Sequence, residues 1–236
     1  MILVPYLAGL AMAATVRPLG LGDLFLGLTW LVGYFAFNAT TLTLKSPPKR
    51  RPRYYRPLAL YLGAASAFGI VTLVFKGWGL LWWVPPYAVV LGCALWLAAS
   101  KRERTLTSGV LTIVASCGLM GVLRLWPGGP ALTWHEAAVM LAVTLYFIGT
   151  VLQVKALIRE RNNPHSTPRN LWFHSALAAL VAAAVAVGWL NWPWLAWALA
   201  LIGRAWWMPR AKRTPMQIGL VEIAASAVLL ALVLLA

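Results

Sequence analysis

A chain of 236 residues that is 61% hydrophobic and 11% charged lies outside the range of soluble domains, where about half the residues are apolar and about a quarter are charged. With a mean hydropathy of +0.77 it reads as a polytopic membrane protein. The net charge of +15, which in a soluble protein would point to nucleic acid, sits in short loops between apolar runs, so no nucleic-acid partner is expected.

The opening residues lack a basic stretch followed by a small-residue cleavage pattern, so no cleaved signal peptide is expected. Apolar runs able to cross a bilayer core of about 30 Å fall at roughly 1–16, 24–44, 58–75, 80–99, 106–125, 137–158, 172–190, 192–208 and 217–236. The fold class is therefore all-α: a transmembrane helical bundle of about nine spans in a single integral membrane domain, residues 1–236. Punctuation supports the cuts, with Pro47, Pro48 and Pro52 after the second run and Pro127-Gly128-Gly129-Pro130 before the sixth. Asn191-Trp192-Pro193 separates the seventh from the eighth. Pro85 and Pro86 should kink the fourth helix or move its start to Pro85.

The cluster Lys45, Lys49, Arg50, Arg51, Arg53 and Arg56 fixes the orientation, because Lys and Arg cost about 2.5–3.5 kcal/mol each at a helix centre. If this loop is cytoplasmic, so are Lys101/Arg102/Arg104, Lys155/Arg159/Arg161/Arg169 and Arg204/Arg210/Lys212/Arg213, whereas the outer set is only Arg17, Lys76 and Arg124. The expected topology is a cell-membrane protein with its N-terminus cytoplasmic and its C-terminus outside.

Two runs carry polar stripes at helical spacing. Tyr34, Asn38, Thr41 and Lys45 share one face of the second, and Tyr146, Gly149, Thr150, Gln153 and Glu160 nearly share one of the sixth. These helices have the same direction and each precedes a basic loop, which hints at related halves. Two readings are open: interhelical packing, or the lining of a cavity that opens to the cytoplasm. Glu222, with Ser226 one turn deeper, is an acid in the last span that should pair, and Arg204, Lys155 and the Arg210 to Arg213 cluster share its expected depth, as does His174. Arg124, His135 and Glu136 read as solvated loop residues, and Asp23 as a first-turn acid that suits the helix dipole. Neither Cys93 nor Cys117 has metal-ligand spacing. No phosphate loop, nucleophile elbow, His pair or paired carboxylates is present, so no metal site and no cofactor is expected, and the sequence leaves open whether the protein is an enzyme.

The segments Tyr146 to Arg161, Glu103 to Gly109 and Gln217 to Glu222 resemble the YwiC-like family of bacterial integral membrane proteins, over most of the chain. Members usually begin with a Glu-His-Gly-Ala-Trp segment and this sequence starts after that point, so the expectation is either an earlier start or a member without that element. A more remote likeness is to the UbiA prenyltransferase superfamily, whose nine-helix arrangement carries aspartate-rich motifs after helices 2 and 6. Asn38 falls where that family's first motif has its Asn, but Ala39, Leu42 and Ser46 stand at its acidic positions, and Glu160 is the one acid between Lys155 and Arg161. Those aspartates hold magnesium against a prenyl diphosphate, so their replacement speaks against magnesium-dependent prenyl transfer.

The expected partners are the lipid bilayer and an anionic amphiphile, a phospholipid or isoprenoid phosphate, held in a cytoplasm-facing cavity by Asn38, Lys155, Arg159, Glu160, Arg161, His174, Arg204 and Glu222. The alternatives are a divergent prenyltransferase-like enzyme and a transporter or membrane assembly partner.

Overall fold

The computed structural model describes residues 2–102 and 105–235. Met1, Glu103, Arg104 and Ala236, which fall in the expected first and last spans and in the Lys101 to Arg104 loop, lie outside the described residues. The described residues form helices α1 (Leu3–Ala14), α2 (Leu21–Lys45), α3 (Pro52–Lys76), α4 (Val84–Ala99), α5 (Leu106–Arg124), α6 (Trp134–Val154), α7 (Ser166–Ala186), α8 (Trp192–Trp207) and α9 (Pro215–Leu234). A 3-10 segment, Trp78–Trp83, leads into α4, and a π-helical turn, Lys155–Arg159, continues α6. Seven of these elements are long and apolar enough to span a bilayer. At about 1.5 Å per residue, α1 with 12 residues and α8 with 16 are shorter than the nine full spans expected.

Local chemistry sets the helix starts. Thr133 with Glu136 and Thr214 with Gln217 form reciprocal capping boxes at α6 and α9, and Pro215 occupies the first turn, where its missing N–H leaves no ladder bond unmade. Pro85 and Pro86 likewise fall in the first turn of α4, so they start the helix at Val84 and do not kink its interior. Two starts lie six residues N-terminal to the hydropathy boundaries, at Pro52 and not 58 and at Ser166 and not 172. In both, the first turns are polar, with Arg53 and Arg56 in one and Arg169 and Asn170 in the other, and hydropathy does not register them.

The helices pack as two compact units, residues 2–130 and 131–235. The first holds α1 to α5. Its most buried helix is α5, where Leu119, Met120 and Leu123 are at most 1% exposed. Leu119, Val122 and Leu123 pack with Leu26, and Tyr6, Leu10, Trp30, Trp83 and Tyr87 close around them. Helix α1 lies against α5 at Gly9, where a Cβ would stand 2.7 Å from Leu123 Cδ1 and 3.0 Å from the Met120 Cα. Helix α3 pairs with α2 through Phe25 stacked on Phe75, with ring centroids 6.0 Å apart, and through Thr29 and Thr72, whose hydroxyls are 3.3 Å apart. The other faces of α3 present Leu60, Ile70 and Val74, each more than 60% exposed, an arrangement suited to hydrocarbon as solvent.

The second unit holds α6 to α9. Trp134 stacks on Trp189 at 5.0 Å and His135 bonds the Trp189 carbonyl, joining the start of α6 to the chain just past α7. Leu157, Met208 and Ile218 cluster at the other end of the unit, where α6 and α8 finish and α9 begins. Neighbouring helices therefore alternate in direction.

Substituting Gly9 by Val is expected to destabilise the protein by about 1–3 kcal/mol, because the new methyls meet the α5 backbone. Gly33→Ala, where a Cβ meets nothing within 4 Å, is expected to be neutral or stabilising. Thermal unfolding in mild detergent checks the pair.

Candidate functional site

The second unit contains a polar cluster contributed by all four of its helices. From α9 comes Glu222, from α8 Arg204, from α7 His174 and Asn170, and from α6 Tyr146, Thr150 and Gln153; all of them are buried. Arg204 Nη1 donates to Glu222 Oε2 at 2.6 Å, and Thr150 Oγ1 donates to the same oxygen at 3.0 Å. Arg204 Nη2 lies 3.0 Å from His174 Nε2, and His174 Nδ1 lies 2.9 Å from the Asn170 carbonyl. A guanidinium only donates and a carbonyl only accepts, so His174 is neutral with its proton on Nδ1. Asn170 donates to Gln153, and the Tyr146 hydroxyl bonds the Glu222 carbonyl at 3.2 Å and the Ser226 hydroxyl at 2.9 Å. Gly149 permits the approach of α7: a Cβ there would stand 3.0 Å from His174 Nε2 and 3.1 Å from Phe173.

The cluster is charge-balanced, one guanidinium against one carboxylate, with the guanidinium carbon 5.9 Å from the centre of the Tyr146 ring. It is not fully saturated. Glu222 Oε1, Arg204 Nε and Asn170 Oδ1 are buried with no hydrogen-bond partner. Each such atom makes no bond to protein and is a point where a small polar group could attach.

Beyond the cluster lies a cationic rim. Glu160 is held between Lys155 at 2.9 Å and Arg169 at 2.6 Å, joining the π-turn to α7. Arg159 and Arg161 are exposed and form no ion pair among the described residues. Arg210 and Arg213 lie over the rings of Trp206 and Trp207. The Lys155 ammonium, followed by the Arg169 guanidinium, lowers the Glu160 carboxyl below its usual range.

Of the residues singled out in the sequence, His174, Arg204 and Glu222 come together, and Lys155 and Glu160 pair at the rim. Asn38 lies exposed on α2, in the first unit. The α6 stripe is an interhelical polar seam, since Tyr146 and Thr150 bond α9 and Gln153 bonds α7. His174 sits about two turns inside α7 and not near its start, because the helix begins at Ser166. Arg124 and Glu136 are buried and not solvated, and Glu136 caps α6 by accepting from the Thr133 N–H at 2.9 Å. Asp23 does more than face a helix dipole: it accepts from Arg17 and from Lys76, at 2.5 Å in each case. Asn170 was missed, and the signal that could have found it is its i, i+4 spacing to His174 once α7 is started at Ser166.

A family model described as YwiC-like protein matches residues 1–124. A protein of Haemophilus influenzae, titled "Uncharacterized protein", is 29% identical over 240 aligned residues, covering 100% of this chain and 94% of its own length. Bacillus subtilis has a similar protein, titled "Uncharacterized protein YwiC", that is 28% identical over 223 residues, covering 94% of this chain and 88% of its own. No solved structure matches.

Removing Glu222 alone, as Glu222→Ala, strands Arg204 and is expected to cost about 3–5 kcal/mol, whereas Arg204→Met with Glu222→Leu is expected to recover most of that loss; detergent unfolding of the three proteins checks it. The rim follows pH with a defined sign. Because the folded carboxyl of Glu160 is lowered, its tie to Lys155 and Arg169 is fully present above the ordinary Glu range and is lost as pH falls through the lower folded value. Hydrogen-exchange protection of the turn at 155–166 is expected to fall on acidification, and not to do so in Glu160→Gln.

Proposed function

The chain belongs to the YwiC-like protein family, and from that premise we propose that this multi-pass membrane protein binds an anionic amphiphile, a phospholipid or isoprenoid phosphate, at the basic end of its second unit. The observation that carries the reading is the imbalance of charge there. Lys155, Arg159, Arg161, Arg169, Arg210, Lys212 and Arg213 face a single rim acid, Glu160, because Glu222 is already committed to Arg204. Guanidinium groups engage phosphate oxygens in pairs, and each basic side chain near an anionic surface contributes about 1 kcal/mol.

In this reading Arg159 and Arg161 take the headgroup directly, and Lys155 shifts from Glu160 to the phosphate when it arrives. His174, Arg204 and Glu222 lie deeper and hold the four helices in register beneath the headgroup, with Glu222 Oε1 available to a hydroxyl of the ligand. The same charge asymmetry supports a cell-membrane protein with this end in the cytoplasm, the N-terminus cytoplasmic and the C-terminus outside. Prenyl transfer is less well supported, since Glu160, the rim acid that would have to carry a metal, is already neutralised by Lys155 and Arg169.

Native mass spectrometry of protein purified in mild detergent, with phosphatidylglycerol or undecaprenyl phosphate added, tests the reading. Retained anionic lipid is expected to fall roughly tenfold or more when Lys155, Arg159 and Arg161 are all replaced by Gln, the size expected for losing one or more charge-assisted hydrogen bonds. Equal retention by wild type and the triple variant would remove the rim as the site.

A further inference from the structure

The first unit holds a second cationic feature that the rim does not explain. At the end where α2 begins and α3 finishes, a cavity of about 360 Å³ is lined by Arg17, Lys76, Phe75, Leu80, Trp83 and Trp126, among others. Its volume lies within the range of small-molecule pockets, about 300–1,000 Å³. Both cations use the same carboxylate. Asp23 accepts from Arg17 at 2.5 and 2.7 Å, from Lys76 at 2.5 Å and from the Gly20 N–H at 3.0 Å. One buried carboxylate against two cations leaves a net charge of +1.

The distribution of donors locates that charge. Arg17 is saturated at its terminal nitrogens, since Nη1 also donates to the Pro18 carbonyl and Nη2 to the Leu123 carbonyl, both at 3.1 Å. Its guanidinium is further held near the Trp126 ring, at 5.6 Å. Lys76 Nζ has three donors and a single acceptor, and its side chain is 16% exposed on the cavity. An ammonium that lines the cavity beside the Arg17–Asp23 pair, under aromatic walls, suits one anionic oxygen carried on an apolar body.

We propose that this cavity binds an anionic group, a carboxylate or phosphate carried on an aromatic or acyl body, through Lys76, with Arg17 and Asp23 as positioning residues. The same chemistry is offered by a lipid headgroup and by a small soluble anion, and the experiment separates the two. The full chain in neutral detergent is titrated with phenylacetate, with phenylacetamide as the uncharged control, and its unfolding temperature is followed. In parallel, lipid retention is measured by native mass spectrometry after exposure to phosphatidylglycerol or phosphatidylcholine.

Lys76→Met retains the Arg17–Asp23 pair and removes the open donors. Leu80→Trp retains all three charges and fills the space, which keeps the test valid if Lys76→Met folds poorly. Stabilisation by phenylacetate and not by phenylacetamide, weakened roughly tenfold or more in either variant, assigns the site to a soluble anion. Phosphatidylglycerol retention that depends on Lys76 and Leu80, in a protein whose Lys155, Arg159 and Arg161 are already replaced by Gln, assigns it to a lipid headgroup. If neither probe binds, or if both bind the variants as they bind wild type, the proposal is overturned.

Discussion

The pairing of Arg204 with Glu222 is the constraint on which the second unit depends. Neither charge is tolerable alone in a bundle surrounded by hydrocarbon, and their separation of 2.6 Å is maintained by groups from the other two helices of the unit. Thr150 of α6 donates to the carboxylate and His174 of α7 receives the guanidinium, while Tyr146 reaches the α9 backbone one turn deeper. A register slip of one residue in any of these helices would break at least one of the contacts. The cluster therefore specifies a single arrangement where apolar packing alone would permit several, since Leu, Val and Ala are interchangeable against lipid and against one another. Gly149 contributes by absence, giving the imidazole room beside α6.

A buried carboxylate also organises the first unit, with different bookkeeping of charge. Asp23 ties the α1–α2 connection, through Arg17, to the end of α3, through Lys76, and Arg17 reaches on to the Leu123 carbonyl of α5. Both units use one acid to fix several helices. In the second the sum within the cluster is neutral and the surplus cations lie outside it on the rim; in the first the surplus lies inside the cluster, next to a cavity. The rim of the second unit and the cavity of the first thus each present surplus positive charge to a negatively charged partner.

Much of the architecture was legible in the sequence because hydropathy reports what the bilayer demands. The helix centres fell where expected, while the capping residues Thr133 and Thr214 place the starts of α6 and α9 three and two residues before the expected 137 and 217. The starts at Pro52 and Ser166 were misplaced because polar first turns, which can sit at an interface, resemble loop. Depth offered Glu222 partners among Arg204, Lys155 and the Arg210 to Arg213 cluster, with His174 at the same level, and the structure pairs it with Arg204 while Lys155 goes to Glu160. What depth could not provide was azimuth. Asn38 and Thr41 belong to one sequence stripe, yet Asn38 is exposed and Thr41 is buried. Nor could sequence order bring Arg17 and Lys76 to one carboxylate, because that requires the α2–α3 pairing, which the stacked Phe25 and Phe75 now display.

Infrared difference spectroscopy of the protein in lipid, wild type against Glu222→Gln, tests the balanced buried pair most directly. An ionised Glu222 is expected, so the substitution should remove intensity from the carboxylate stretching region and none from the protonated carboxyl region. Loss of a protonated carboxyl band at neutral pH would contradict the ion pair, and with it the explanation of how the four helices of the second unit are held in register.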